Sequence, residues 1–446
     1  MDDHRVLVRH SLLGCWAMLL GLAPAIARAQ QLQPLEEFLG HARMHNVDAR
    51  EARATALQRA HEASEAFARL LPTATVQADA IGNEYLGAVD IPVGVPGSPG
   101  ATTRHVVITP TDQRDATLTL ALPLLDLSGW RNLSAARATQ DAQEDRVAAT
   151  DLTVQATIAS TYYQLVGAAA VGRAARRTLA AAEDNVAFLA TRVRAGLAAD
   201  LDLKRGIAEV DRDRQAIEDA DYTIVTLRRS LATTSGLDPS GDPLEGVPSL
   251  PADDLHDEAP LDQWMGVVDG LPSVRAAQRD DDAALRTAAA TRATAVPTVS
   301  LQLTERATNA IGFGYSPSWS LSLVGAWTLD LSTRASARAL AAAAEAAAVR
   351  TDRARDAAAD ALFDAWQQVR TQIAKARAAR SSLDASRAAL GVAREQFTSG
   401  RATSLDVIQA ERDAFTAEVT EIQAEADLAS ARVALRLAAG RAPEAP

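Results

Sequence analysis

Cysteine, lysine and the aromatic residues are all scarce in this chain. A single cysteine, Cys15, precludes an intramolecular disulfide and a structural zinc site built from four cysteines. Only two lysines, Lys204 and Lys375, stand among the 45 basic residues, and 57 acidic residues bring the net charge to −12. So little positive charge does not suit a phosphate-backbone binder, which excludes nucleic acid as a partner. Phe, Tyr and Trp make up 4% of 446 residues although 48% are hydrophobic. Alanine carries the apolar content, in runs such as 341–344 and 346–348, and this is the composition of long, close-packed helices. Past the N-terminal segment no apolar run of about 18 residues occurs, so strands or a surface must make any contact with a bilayer. The phosphate-binding loop, the G-x-S-x-G elbow and H-E-x-x-H are missing too, and the carboxylates are spread as a solvated helix face spreads them. The chain reads as a non-enzyme without a cofactor.

The first residues read as an address. Arg5 and Arg9 precede a largely apolar stretch from Leu12 to Ile26, and Ala27-Arg28-Ala29 supplies the small residues a signal peptidase needs, so residues 1–29 are expected to be a cleaved signal peptide. Cleavage removes three basic and two acidic residues and leaves the mature chain at about −13. A second reading takes Leu12-Leu13-Gly14-Cys15 as a lipidation signal with Cys15 as the acylated residue.

The chain also repeats itself. At one ungapped offset of 204 residues Leu179 meets Leu383, Gly196 meets Gly400, Leu201 meets Leu405, Asp202 meets Asp406, Arg228 meets Arg432 and Gly236 meets Gly440. Leu125-Asp126-Leu127-Ser128 falls on Leu329-Asp330-Leu331-Ser332 in the same register. Leu71-Pro72-Thr73 and Val296-Pro297-Thr298 align at offset 225, so the first half carries a 21-residue excess, which falls in the Gly- and Pro-rich span 87–110 and is expected to be an enlarged loop.

Each half then reads as helix, two strands, long helix, turn, helix. Proline is absent from 128–195 and from 332–399, so each predicts one uninterrupted helix of 68 residues, roughly 100 Å at about 1.5 Å per residue. Gly196 and Gly400 close these helices as left-handed caps, and Asp200 and Ser404 are the expected N-caps of the returning helices. The expected division is a first repeat over 30–236, a linker over 237–271 with a short helix near Trp264, a second repeat over 272–440 and a tail over 441–446.

In all four predicted strands the side chains alternate with period two. Ala74, Val76 and Ala78 oppose Thr75, Gln77 and Asp79; Leu118, Leu120 and Leu122 oppose Thr117 and Thr119; Leu301 and Leu303 oppose Gln302 and Thr304; Trp319, Leu321 and Leu323 oppose Ser318, Ser320 and Ser322. Joined to helices too long to fold over them, the strands leave their apolar face uncovered. Lipid is the expected cover, with Trp319 and Trp327 as interface anchors. Four strands cannot close a barrel, and open edges are not tolerated in a bilayer, so the chain is expected to oligomerise around an aqueous pore.

The signal peptide, the duplicated helix, strand pair and long hairpin, and the Gly-x-x-x-x-Leu-Asp turn at Gly196 to Asp202 and Gly400 to Asp406 resemble the TolC-like outer-membrane efflux family. The resemblance covers about Leu35 to Gly440. It implies a mainly α fold with a small β part: duplicated helical hairpins build an α-barrel tunnel in the periplasm, and four strands per chain contribute to a transmembrane β-barrel of a homotrimer. It further implies an outer-membrane duct, in a tripartite efflux or type I secretion system, that passively conducts substrates from an inner-membrane pump of the RND or ABC type through a periplasmic adaptor.

Carried onto this sequence, the family's periplasmic gate falls on Asp406, with Phe397 where better-known members have a tyrosine, Gln409 where they can have a second acid, and Arg401 as a substitute tether. Adaptor docking falls on the turns, at Gly196, Leu197, Leu201, Asp202, Gly400 and Leu405. Asp406 has a plainer role as well, in a helix's first turn where it complements the dipole. His41, Met44 and His45 share one helical face with His61 further along, at spacing that suits a metal but is usually incidental. The reading from another class is a pore-less envelope coiled coil, which needs sustained heptads that 332–399 lacks.

Overall fold

The computed structural model describes residues 31–94, 102–250, 253–328 and 330–442. The expected signal peptide with Cys15 lies outside these residues, as do positions 95–101 of the expected loop, Leu329, and 443–446 of the tail. The chain is mainly helical with a small β part. In order it forms α1 (Leu35–His45), α2 (Val47–Ala68), β1 (Thr73–Gly82), β2 (Gly87–Val93), β3 (Thr102–Thr109), β4 (Asp112–Leu125), α3 (Leu127–Arg194), α4 (Asp200–Ser235), α5 (Leu261–Met265), α6 (Pro272–Ala293), β5 (Thr298–Thr308), β6 (Ser318–Ala326), α7 (Leu331–Thr398) and α8 (Ser404–Ala438).

The absence of proline has the expected effect: α3 and α7 are each 68 residues long. Both start on an aspartate. Asp126 accepts from the Gly129 amide at 2.8 Å, and Asp330 accepts from the Ser332 amide at 2.9 Å. Both end on a left-handed glycine, Gly196 at φ 71° and Gly400 at φ 76°, a conformation a side chain would strain. The N-caps of the return helices differ from expectation by one residue: Asp200 and Ser404 are already helical, and the caps are Ala199 and Thr403. Thr403 wins because its hydroxyl and the Asp406 carboxylate close a reciprocal capping box, whereas Ala199 offers no side-chain bond.

Helix α3 is the central strut, packing on α2, α4, α6 and α8, while α7 packs on α6 and α8. One apolar core gathers Phe38, Ile158, Leu165, Ile224, Leu231 and Val433 at the middle of the hairpins. A second joins Trp264 of the linker to Leu362, Val369, Ile373, Leu428 and Leu435. The short helix near Trp264 is therefore a plug: α5 buries its indole against α7 and α8. Arginines at matching repeat positions fasten the linker. Arg228 donates to the carbonyls of Pro239 at 2.6 Å and Gly241 at 3.3 Å, and Arg432 grips the Asp253–Glu258 segment.

The four-stranded antiparallel sheet has the order β1-β4-β5-β6, so β1 and β6 are its edges. The span 87–110 is more ordered than the expected loop. Strands β2 and β3 form a two-stranded antiparallel ribbon there, because Val89, Ile91, Val106 and Ile108 supply β-branched residues on both sides of the Gly- and Pro-rich tip. No helix among the described residues packs onto the sheet, and none is long and apolar enough to cross a membrane.

Candidate functional site

The sheet register aligns the two faces that the alternation separates. Across the four strands, Ala74, Leu120, Leu303 and Leu321 form one row; Leu122, Leu301 and Leu323 form the next over β4 to β6. Val76, Leu118, Glu305 and Trp319 form a third, where charge first enters; beyond it on the same face come Ala78-Ala116-Ala307 and then Ala80 beside Arg114. The opposite face is mainly polar, with rows Thr75-Thr119-Thr304-Ser320 and Gln77-Thr117-Arg306-Ser318, although Ile81, Ala121, Pro123 and Val324 also fall on it. Trp319 is 73% exposed and Trp327 62%. They are eight residues apart on β6 and just beyond it, about 27 Å at ~3.4 Å per residue, against an apolar band of about 25 Å in outer-membrane barrels. Trp130, in the first turn of α3, is exposed at the Trp327 end and escaped the sequence reading, since its repeat mate is Arg334; Leu331, the repeat mate of Leu127, is exposed at that end as well.

At the other end of the hairpins the two turns present Leu197 (69% exposed), Leu201 (57%) and Leu405 (36%). Asp406 is fully exposed. Its carboxylate accepts from the Thr403 amide and hydroxyl, both at 2.7 Å, and these bonds hold its pKa below the ordinary carboxylate value, so it carries its charge down to acid pH. The plain capping role is thus satisfied within the chain, and one carboxylate edge remains open. Asp406 and Gln409 lie together in a groove of about 430 Å³ between α7 and α8, and Asp413 lines it as well. Asp413 was absent from the sequence reading although its spacing of seven from Asp406, two helical turns, was a usable signal.

Asp202, the repeat mate, makes a long pair with Arg205 at 3.9 Å. Arg401 is exposed and donates to Ser399 Oγ at 3.3 Å, near the turn but in contact with neither Asp406 nor Gln409. Phe397 meets Phe188 edge-to-face with centroids 6.1 Å apart, and the Arg192 guanidinium lies 5.6 Å from both rings. An aromatic-cation clamp therefore ties the lower end of α3 to that of α7 where a hydroxyl link is missing. Phe188 and Arg192 carry no repeat signal; only the rarity of aromatics could have pointed to them.

The histidine spacing does not assemble a metal site. His41 and His45 stack at 4.0 Å on α1, but Asn46 breaks the helix after them, which puts His61 on α2. Among the described residues the one cluster with three metal-type ligand atoms together is Asp253, Asp254 and His256, where Arg432 already occupies Asp253.

A family model described as outer membrane efflux protein matches residues 39–237 and 269–441. No curated protein matches in sequence. Among solved structures, the outer-membrane channel OprN is 24% identical at a TM-score of 0.74, with 91% of this chain and 89% of that one covered. A membrane protein from Pseudomonas aeruginosa is 22% identical at 0.73, covering 91% and 93%. The open-state MtrE outer membrane channel of Neisseria gonorrhoeae is 18% identical at 0.71, covering 93% and 90%.

Proposed function

The chain belongs to the outer membrane efflux protein family, and on that premise we propose that it is the outer-membrane exit duct of a tripartite efflux or type I secretion system, conducting cargo passively from an inner-membrane pump of the RND or ABC type. One observation carries the reading: among the described residues the four-stranded sheet has an apolar face, interrupted by charge only toward its Trp319 end, with no protein cover and two unpaired edges, β1 and β6. Edges cost free energy in lipid unless paired. Three copies joined β6 to β1 give a closed twelve-stranded barrel that takes the polar rows inward, and the helices continue it as a tunnel into the periplasm. A pore-less envelope coiled coil has no use for such a sheet.

In this reading the hairpin turns face the pump. Leu197, Leu201 and Leu405, beside Gly196 and Gly400 and with Asp202 behind them, dock the helical hairpins of a periplasmic adaptor. Asp406 repeated about the three-fold axis forms a carboxylate ring that attracts cations, and Phe397, Gln409 and Arg401 surround it as the rest of the gate. Trp319 and Trp327 anchor the barrel at the two interfaces. Planar-bilayer recording of purified trimers tests the proposal. Discrete, cation-preferring conductance is expected, with weaker block by multivalent cations in Asp406→Asn. Silence at every voltage overturns the duct, and unchanged block removes Asp406 from the gate.

A further inference from the structure

Two adjoining cavities run along α3 between α4 and α8, on the face of α8 opposite the Asp406 groove. The one nearer the turns, about 180 Å³, is lined by Glu209 and Asp213 of α4, Glu411 and Arg412 of α8 and Thr178 of α3. Ala216 and Phe415 line both cavities and open it into the second, about 490 Å³, whose walls include Val171, Ala220, Leu227 and Val419. The smaller end is charged, with three carboxylates beside Arg212 and Arg412, and the larger is mainly apolar, with Asp219 and Asp427 on its walls as well.

The pairing of charges singles out Asp213. Arg412 binds both oxygens of Glu209, Nε at 2.7 and 2.8 Å, and Arg212 adds a bond at 3.1 Å. Glu411 holds Arg394 at 2.9 Å. Asp213 has no such partner: it is 6% exposed, and its buried Oδ2 accepts no hydrogen bond. An acceptor buried without a donor is costly, so a donor is what the site lacks. In keeping with that, the carboxyl is pushed up to about 6, by burial first and then by Glu209 and Glu411.

We propose that the slot between α4 and α8 binds lipophilic ammonium compounds, with an N–H of the cationic head on Asp213 Oδ2 and the apolar body along Phe415, Ala216, Ala220 and Val419. The class follows from the lining. The single unmet demand is for a hydrogen-bond donor, which an ammonium carries and a quaternary nitrogen lacks. Phe415 lines the same cavity as Asp213 and adds an aromatic ring to its wall. Cavities of about 490 and 180 Å³ in line fall within the roughly 300–1,000 Å³ of small-molecule sites. A bare metal ion fits worse, since no three ligand atoms converge here among the described residues.

The test uses the full trimer in lipid nanodiscs, with empty discs as the blank, titrated with a dansyl-tagged primary alkylamine and with its N-acetylated, uncharged counterpart. The amine is expected to bind saturably and the amide at least tenfold more weakly. Asp213→Asn, which keeps the shape and removes the charge, should weaken amine binding at least tenfold and leave the amide unchanged. Ala216→Leu, at the junction of the two cavities, should weaken both. Equal binding of amine and amide, no binding above the blank, or an Asp213→Asn protein that holds the amine as wild type does overturns the assignment.

Discussion

Replacing Arg432 by methionine should release the linker from the helices. The guanidinium is 1% exposed in α8, and it donates to Asp253 from Nε at 2.6 Å and Nη2 at 3.0 Å, to the His256 carbonyl at 2.9 Å, and to Glu258. Methionine fills most of the volume but leaves Asp253 and Glu258, both nearly buried, without a cation. Breaking a buried pair from one side costs about 3–5 kcal/mol, most of it the stranded charge. Much of that should appear as local opening of the 253–265 segment, because Trp264 and the Leu255 amide, which donates to Asp253 at 2.7 Å, depend on the same anchor. At about 1.4 kcal/mol per factor of ten, a loss of 3 kcal/mol raises the open population by roughly 100-fold. Amide hydrogen exchange of a peptide spanning 253–265 reads this directly. Exchange within threefold of wild type would refute the reasoning, and adding Asp253→Asn with Glu258→Gln should restore much of the protection, since the cost lies in the stranded carboxylates.

Other perturbations act elsewhere in the molecule. Leu120→Arg, in the middle of the apolar face, should cost about 2–4 kcal/mol of folding free energy in lipid, while Thr119→Arg, one residue away on the polar face, should fold and shift the ion preference; denaturant titration in bilayers separates them. Asp406→Ala removes the capping box at Thr403 and should lower the thermal unfolding midpoint, with Asp406→Asn affected less. The Asp213 carboxyl is raised to about 6, so its protonated form stabilises the fold; that contribution is full below the usual carboxylate range and is lost as pH rises through about 6. Glu209, Arg212, Glu411, Arg412 and Thr178 line the same cavity, and with none supplying a bond to Oδ2, Asp213→Asn should be more stable than wild type at pH 7.5 and indistinguishable from it near pH 3.5.

What the sequence made legible was whatever repeats or alternates. The 68-residue helices follow from two proline-free stretches, and the two sheet faces follow from period two. Local chemistry gave the closing glycines, while the N-caps moved by one residue because Thr403 and Asp406 can serve each other and Asp200 has no equivalent partner. Contacts distant in sequence left no trace. The Phe188–Arg192–Phe397 clamp joins the ends of two different hairpins, and the Asp213 slot needs three helices in register before its missing donor becomes visible. The β2–β3 ribbon was hidden by its own tip, whose glycines and prolines dominated the composition of the whole span.

The uncovered apolar face of the sheet needs lipid or detergent to cover it. Expressed, exported and extracted with and without amphiphile, the mature chain should remain in solution only when detergent or lipid is supplied, and should then run as a stable trimer by mass measurement. A monodisperse single protomer, folded and soluble in plain buffer with Leu120 and Leu303 bare, contradicts it.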